Sequence, residues 1–262
     1  MRRLRLGMMA GGVDPAAAFL AAAGITDPTI TAAINTLVND LVGYGIWTKM
    51  KAIYPFVGGT AVTHKFNLKD PRDLDAAFRL VFFGGWTHSA NGALPNGSNA
   101  YANTYFNQFI SGQQNSAHIS YYSRTTSNGT EIEIGSTTSG FANGSLIEIR
   151  TSGVTFFKIN TISSYLSYTD PNAKGFYVAN RTLSNLTNAW KNGIKEASGT
   201  TASTTPANNN LYLGAANNSG VAQFFTTKEC AFSSIGDGLS DTEAANYYTA
   251  VQAFQTTLNR QV

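Results

Sequence analysis

Apolar residues change their spacing twice along this chain, and each change marks a different kind of element. Near the start the spacing is helical. Asp14-Pro15 supplies a cap residue and a proline at the first helical position, Ala16–Ala23 are strong helix formers, and Gly24 stops the run. Asp27-Pro28 starts a second helix, in which Ile30, Ile34, Leu37, Val38 and Leu41 recur at three- and four-residue steps before Gly43 and Gly45 end it. From about Lys51 the period falls to two. Strands are expected at Ala77–Phe83, His118–Ser123, Glu131–Ile134, Leu146–Arg150, Thr155–Ile162, Gly175–Ala179, Leu211–Gly214 and Glu229–Ile235. In Thr155–Ile162, for example, Phe157 and Ile159 face opposite to Lys158 and Asn160.

Asn-Gly pairs at Asn91, Asn96, Asn128, Asn143 and Asn192 punctuate these strands, and that dipeptide favours tight antiparallel hairpins. The last element is helical again. Ser240 and Glu243 form a capping box, followed by one apolar face of Ala244, Tyr247, Val251, Phe254 and Leu258. Many short strands with frequent turns predict an antiparallel sandwich or barrel. The division expected is an arm of two short helices over residues 1–50 and a β-sandwich over residues 51–262. Thr200–Asn210 is polar and of low complexity, and is expected to be a mobile loop.

Composition narrows the function. Of the 262 residues, 13% are charged, about half the usual ~25%. Asn, Thr, Ser and Gly fill the gap, which suits a turn-rich neutral surface. A nucleic-acid binder needs a concentrated basic field, and the net charge here is +3, with Arg2, Arg3 and Arg5 at the very start. The single cysteine, Cys230, rules out an intramolecular disulfide framework and is expected to be a small buried residue. No apolar run reaches the ~20 residues of a membrane span. The first residues imitate a secretory signal, but Arg5, Asp14 and Pro15 interrupt the apolar stretch, which favours a helix.

Two resemblances add to this. Gly175–Ala179, Trp190–Gly193, Leu211–Gly214 and Cys230–Ile235, followed by Leu239, Ser240 and Glu243, resemble the closing strands and final helix of laminin-G-like domains. That resemblance implies a mainly β fold, a concanavalin A/laminin-G-like antiparallel β-sandwich (jelly roll), carrying here an N-terminal helical arm and a C-terminal helix. Gly45–Gly59 and Asn67–Asp75 are similar to structural proteins of crAss-like phages that infect Bacteroidetes. This second resemblance implies a non-enzymatic virion protein of tail or capsid fibre type, made in the host cytoplasm. It would be homo-oligomeric and in contact with other virion proteins. An assembly role would fall to the arm, at Arg2, Arg3, Arg5, Ile30, Ile34, Leu37 and Leu41. The apolar stripe fits packing on the parent domain equally well. A carbohydrate-binding module is the alternative, and a glycoside hydrolase of the same fold the second.

Candidate chemistry is sparse. Retaining glucanases of this fold carry acids two residues apart on one strand, with carboxyls about 5 Å apart and a further acid nearby. Glu131 and Glu133 match the spacing, but the middle acid is missing and the next one is Glu148. Both glutamates are therefore expected to face water from an ordinary strand, with no catalytic residue. His64, His88 and His118 are scattered without metal-ligand spacing. Asp170 with Asn172, and Asp237, are the loop groups that could hold calcium, and a turn role explains them equally well. Glycans need aromatic faces and amides. Trp86, Asn91, Asn96, Tyr101 and Tyr105 lie in an Asn- and Gly-rich segment expected to be a recognition loop for host surface polysaccharide. Tyr121, Tyr122 and Trp190 are also available, with a core role expected for most of the aromatics.

Overall fold

The computed structural model describes residues 14–162 and 164–262. Two helices come first, α1 (Pro15–Ala23) and α2 (Pro28–Gly43). Asp14 caps the first by accepting from the Ala16 amide, and Asp27 caps the second by accepting from those of Thr29 and Ile30. There follow β1 (Met50–Tyr54), the single turn α3 (Ala61–His64), β2 (Val81–Phe83), β3 (Trp86–Ser89), β4 (Gly92–Pro95) and β5 (Tyr101–Asn107). After the short α4 (Gln108–Ser111) come β6 (Ala117–Ser123), β7 (Ile134–Thr137), β8 (Asn143–Thr151), β9 (Val154–Ile162) and β10 (Leu166–Thr169). The C-terminal half continues with β11 (Gly175–Leu183), β12 (Leu186–Lys191), β13 (Ile194–Gly199), β14 (Asn210–Leu213), β15 (Ala216–Asn218), β16 (Val221–Gln223) and β17 (Cys230–Gly236). Helix α5 (Asp241–Thr257) closes the chain, with the Ser240/Glu243 capping box formed as expected.

The strands make two sheets, and the fold is a mainly β sandwich with short N-terminal helices and a C-terminal helix. The first sheet runs β13-β12-β11-β6-β17-β4-β3, with β1 also on β17. The second runs β10-β9-β8-β7-β14-β5-β2, and the β15–β16 hairpin joins it along β7. Pairing is antiparallel except for β15 on β7. Between the sheets lies a core of Ile119, Tyr121, Tyr177 and Ile235 against Ile134, Ile147, Phe157 and Leu211. A second core lies on the far side of the first sheet. There Tyr122, Phe176, Trp190 and Phe232 pack with Ile34, Leu37 and Leu41 of α2 and Tyr247, Val251 and Phe254 of α5. The central strands of the first sheet are thus buried on both faces, which is why β6 and β17 are buried throughout.

Some elements differ from the sequence pattern. Ala77–Phe83 is a 3-10 turn at Asp75–Ala77 and a strand only from Val81, because Phe78 adopts a left-handed backbone (φ 58°) and reverses the chain. Two of the Asn-Gly pairs lie at tight hairpins: between β3 and β4 the loop is Ala90-Asn91, with Gly92 already paired to Ser89, and between β12 and β13 it is Asn192-Gly193 itself. In the latter both residues have positive φ (49° and 75°), the geometry of a type I′ turn. The polar Thr200–Asn210 segment is tied down: the Thr204 amide donates to Asn160 O and its hydroxyl to Asn143 Oδ1. The C-terminus is anchored by fully buried Arg260, which donates to the carbonyls of Pro55, Phe56, Ala90 and Ala231 and to Gln255 Oε1.

Candidate binding face

Among the described residues no helix covers the outer face of the second sheet. Along β5 the side chains alternate, with Ala102, Thr104 and Phe106 inward and Tyr101, Asn103, Tyr105 and Asn107 outward. Phe83 of β2 lies directly opposite Tyr101, and Tyr212 of β14 opposite Asn103. Three rings from three neighbouring strands therefore stack as a ladder. Phe83 and Tyr101 are 4.8 Å apart at 12°, and Tyr101 and Tyr212 4.6 Å apart at 28°. Each such contact contributes roughly 0.5–1.5 kcal/mol beyond burial, enough to hold the rings in place although Phe83 is 40% exposed. Burial raises the Tyr212 phenol pKa, and the neighbouring phenols of Tyr101 and Tyr105 add to it, so Tyr105 belongs to the same surface. The hydroxyls of Tyr101, Tyr105 and Tyr212 make no hydrogen bond among the described residues. The residues of this patch, with Asn103, Asn107 and Asn210 beside the rings, carry no formal charge.

Of the five residues expected from sequence, Tyr101 and Tyr105 lie on this face. Trp86 supports it from below: its indole N–H is shared between the carbonyls of Phe83 (3.1 Å) and Tyr101 (3.3 Å), which locks β2 to β5. Asn96 is structural, since its Oδ1 accepts from the amides of Ser98, Asn99 and Ala100. Asn91 sits in the β3–β4 turn. The Trp86–Tyr105 segment is therefore a hairpin and a strand rather than a recognition loop, because the tight Ala90-Asn91 turn lets the flanking residues pair. Phe83 and Tyr212 were not among the expected residues. Tyr212 reaches the face through pairing with a strand distant in sequence, which one chain's pattern does not reveal.

The acidic pair departs furthest from expectation. Glu131 and Glu133 precede β7; Glu133 is fully buried and Glu131 is half-buried. Lys228, itself fully buried, sits 2.8 Å from Glu131 Oε2 and 3.1 Å from Glu133 Oε1. Glu133 also accepts from the Ile149 amide and the Thr226 hydroxyl. Burial pushes its carboxyl up to about 7, against the pull of Lys228. The alternation is inverted because Ile132 finds apolar partners on the outer side, in Leu146 and Ala216, beside the β15–β16 hairpin. Both carboxylates are held by one buried ammonium as a structural tie, and Glu133 is closed off from a sugar.

The histidines are less scattered than their spacing indicates. His64 and His88 approach at Nδ1–Nδ1 2.9 Å, and His118 is buried with Nδ1 on Asp237 O and Nε2 on Ser234 Oγ. No group of three His, Cys, Asp or Glu suited to a metal ion occurs among the described residues. Asp170 is taken by Lys191 and by the hydroxyls of Thr155, Tyr168 and Tyr177. Burial raises its pKa, but these donors outweigh that and hold it below the usual carboxylate range. Asp237 faces Lys51 at 3.1 Å. At both calcium candidates a lysine stands where the cation would. Cys230 is buried, and burial pushes its thiol pKa up. Ile34, Leu37 and Leu41 are fully buried in this chain's own second core, with Ile30 packed against it. Arg2, Arg3 and Arg5 lie outside the described residues.

No protein-family model and no curated protein matches the chain. Solved structures do. The binding domain of botulinum neurotoxin serotype D superposes with a TM-score of 0.54 at 10% identity, over 78% of this chain and 52% of that one. This chain therefore matches about half of that structure, and the likeness is one of fold. The fourth domain of an extracellular arabinanase from Geobacillus stearothermophilus, solved with arabinotriose, gives 0.47 at 14% identity over 76% and 98% of the two chains. A sialidase from Streptococcus pneumoniae gives 0.45 at 17% over 62% and 27%.

Proposed function

We propose that this chain is a non-catalytic carbohydrate-binding domain that engages glycans on the outer face of its second sheet. The observation that carries this is the Phe83–Tyr101–Tyr212 ladder. A sugar presents C–H patches, which aromatic rings remove from water, and hydroxyls, which phenols and amides can satisfy. The lack of formal charge on the patch favours a neutral ligand over a phosphate or a peptide carboxylate. The acid pair that a hydrolase would need is committed to Lys228.

A glycan array probed with the whole chain tests the reading, followed by titration of the hits against Tyr212→Ala. Binding that is weakened in a variant that stays folded is the expected result. An array without signal above background would end it. A virion setting is a second reading, favoured by the resemblance of Gly45–Gly59 and Asn67–Asp75 to phage structural proteins; a fibre that holds host polysaccharide satisfies both. Mass spectrometry of purified particles that lack the protein would remove this setting and leave the binding domain standing.

A further inference from the structure

The second sheet carries another concavity, built differently from the ladder. Beside the β15–β16 hairpin, Ile132 and Leu146 form the apolar floor of a cavity of about 240 Å³. Phe141 and Phe224 wall it in edge-to-face contact, with centroids 5.2 Å apart at 70°, and Tyr165 completes the ring of aromatics. Both phenylalanines have left-handed backbones, φ 59° at Phe141 and 55° at Phe224. A bulky side chain rarely adopts that conformation, and such strain collects at ligand clamps. Core packing does not account for it at Phe224, whose ring is 42% exposed.

Glu148 is the ionisable acid of the lining. Its Oε1 accepts from the Thr151 hydroxyl at 2.6 Å, while Oε2 has no partner among the described residues. Burial raises the pKa of this carboxyl, so a hydrogen-bond donor delivered to Oε2 would relieve it. The cation that acts on Glu148, Lys228, is paired with Glu131 and Glu133, and Lys158 beside Tyr165 is committed as well. The Lys158 ammonium donates to the carbonyls of Phe141 and Ala142, both at 2.7 Å, and rests 5.1 Å from the centre of the Tyr165 ring.

We propose that this bowl binds one neutral, hexose-sized sugar ring, with its C–H face on Phe141, Phe224 and the Ile132/Leu146 floor and a hydroxyl donating to Glu148. Acidic sugars are excluded, since a sialic or uronic carboxylate would meet Glu148 with like charge and find no free cation in the lining. The site rests on the carbohydrate-binding reading but is independent of the ladder.

Methyl NMR of the whole chain tests it directly, with Ile132 and Leu146 as reporters. The probes are the methyl glycosides of glucose, galactose and mannose, set against glucuronic acid and sialyllactose. At least one neutral glycoside is expected to shift both residues' methyls. Glu148→Gln, which keeps the shape, is expected to weaken that binding about tenfold or more through loss of a charge-assisted hydrogen bond. Phe224→Ala should abolish it, and Tyr212→Ala should leave it intact; if Phe224→Ala fails to fold, Glu148→Gln decides. Reporter methyls unmoved by every neutral sugar, while the array still shows ladder-dependent binding, would overturn the bowl and spare the domain's function. Equal response to the acidic sugars would overturn the ligand class. Silence in both experiments defeats both proposals.

Discussion

The outer faces of the two sheets are made of the same kinds of residue and have opposite fates. On the first sheet Tyr122, Phe176, Trp190 and Phe232 point outward, and helices α2 and α5 cover them. Tyr247 of α5 seals that contact, 5.1 Å from the Phe176 ring and hydrogen-bonded through its hydroxyl to Ser234 at 2.7 Å. On the second sheet Phe83, Tyr101 and Tyr212 point outward, and among the described residues no helix lies above them. Aromatic content therefore does not mark a binding face. What marks it is the absence of an amphipathic cover, and here both available covers, the α2 stripe and the α5 face, go to one side. The second sheet keeps its rings in order by stacking them on each other.

The sharpest way to break this contrast is to attack what both faces depend on. Replacing Lys228 with methionine leaves the buried Glu133 and the half-buried Glu131 without their cation, and should cost about 3–5 kcal/mol of stability. Urea denaturation reads this as a lower midpoint at unchanged slope. A loss below ~1 kcal/mol would show that the triad is solvated and the sandwich core is not what holds the ladder strands. The helical cover comes next. Leu37→Ala opens a cavity under α2 and should cost roughly 2–5 kcal/mol, with glycan affinity unchanged in the fraction that stays folded. Altered affinity would mean that the two faces communicate through the core.

The open face responds the other way round. Tyr212→Ala should reduce glycan affinity by about 1 kcal/mol or more and change stability by less than the ~1.5 kcal/mol that one ring contact supplies. Isothermal titration and thermal melting on the same sample separate the two. A variant that loses stability but keeps affinity assigns the ladder to folding alone.

How much of this was legible in the sequence follows from the range of the interactions. The α2 stripe, its Asp27 cap and the Ser240/Glu243 box are local and appear where the spacing places them. The strand alternation in Val154–Ile162 is local too, although strands such as β3, β12 and β13 were hidden behind short, polar or Trp-containing stretches. What was not legible depends on partners distant in the chain. Tyr101 was recognisable as an aromatic but not as one rung of three, since its neighbours come from β2 and β14. Glu133 looked like a surface residue because its strand alternates. Its inversion requires both Lys228 and the hairpin beyond β14, and no local pattern announces either.

The smallest effect tests the covered side against the inter-sheet core through protons. Beneath α5, His118 donates from Nδ1 to the Asp237 carbonyl, and its Nε2 lies 3.0 Å from Ser234 Oγ. Burial lowers its pKa to about 4, and burial together with His88 and Arg260 lowers that of His64 to about 3. An unfolded histidine titrates near ~6.5. Between that value and pH 4 the unfolded chain binds protons that the folded chain refuses, so stability falls as the pH falls, by at most about 1.4 kcal/mol per pH unit for each histidine. Glu133 acts in the opposite sense. Its folded pKa of about 7 lies above the ordinary 4.5, so the folded state takes up a proton first and gains stability as pH falls from 7 towards 4.5. Two strongly lowered histidines outweigh one carboxyl, and melting temperature should decline from pH 6.5 to 4.5. Glu133→Gln removes the opposing contribution and should steepen that decline, whereas His118→Gln should flatten it. A melting temperature that rises on acidification would mean that the helix-covered face admits water to His118, and the seal that distinguishes the first sheet from the second would be lost.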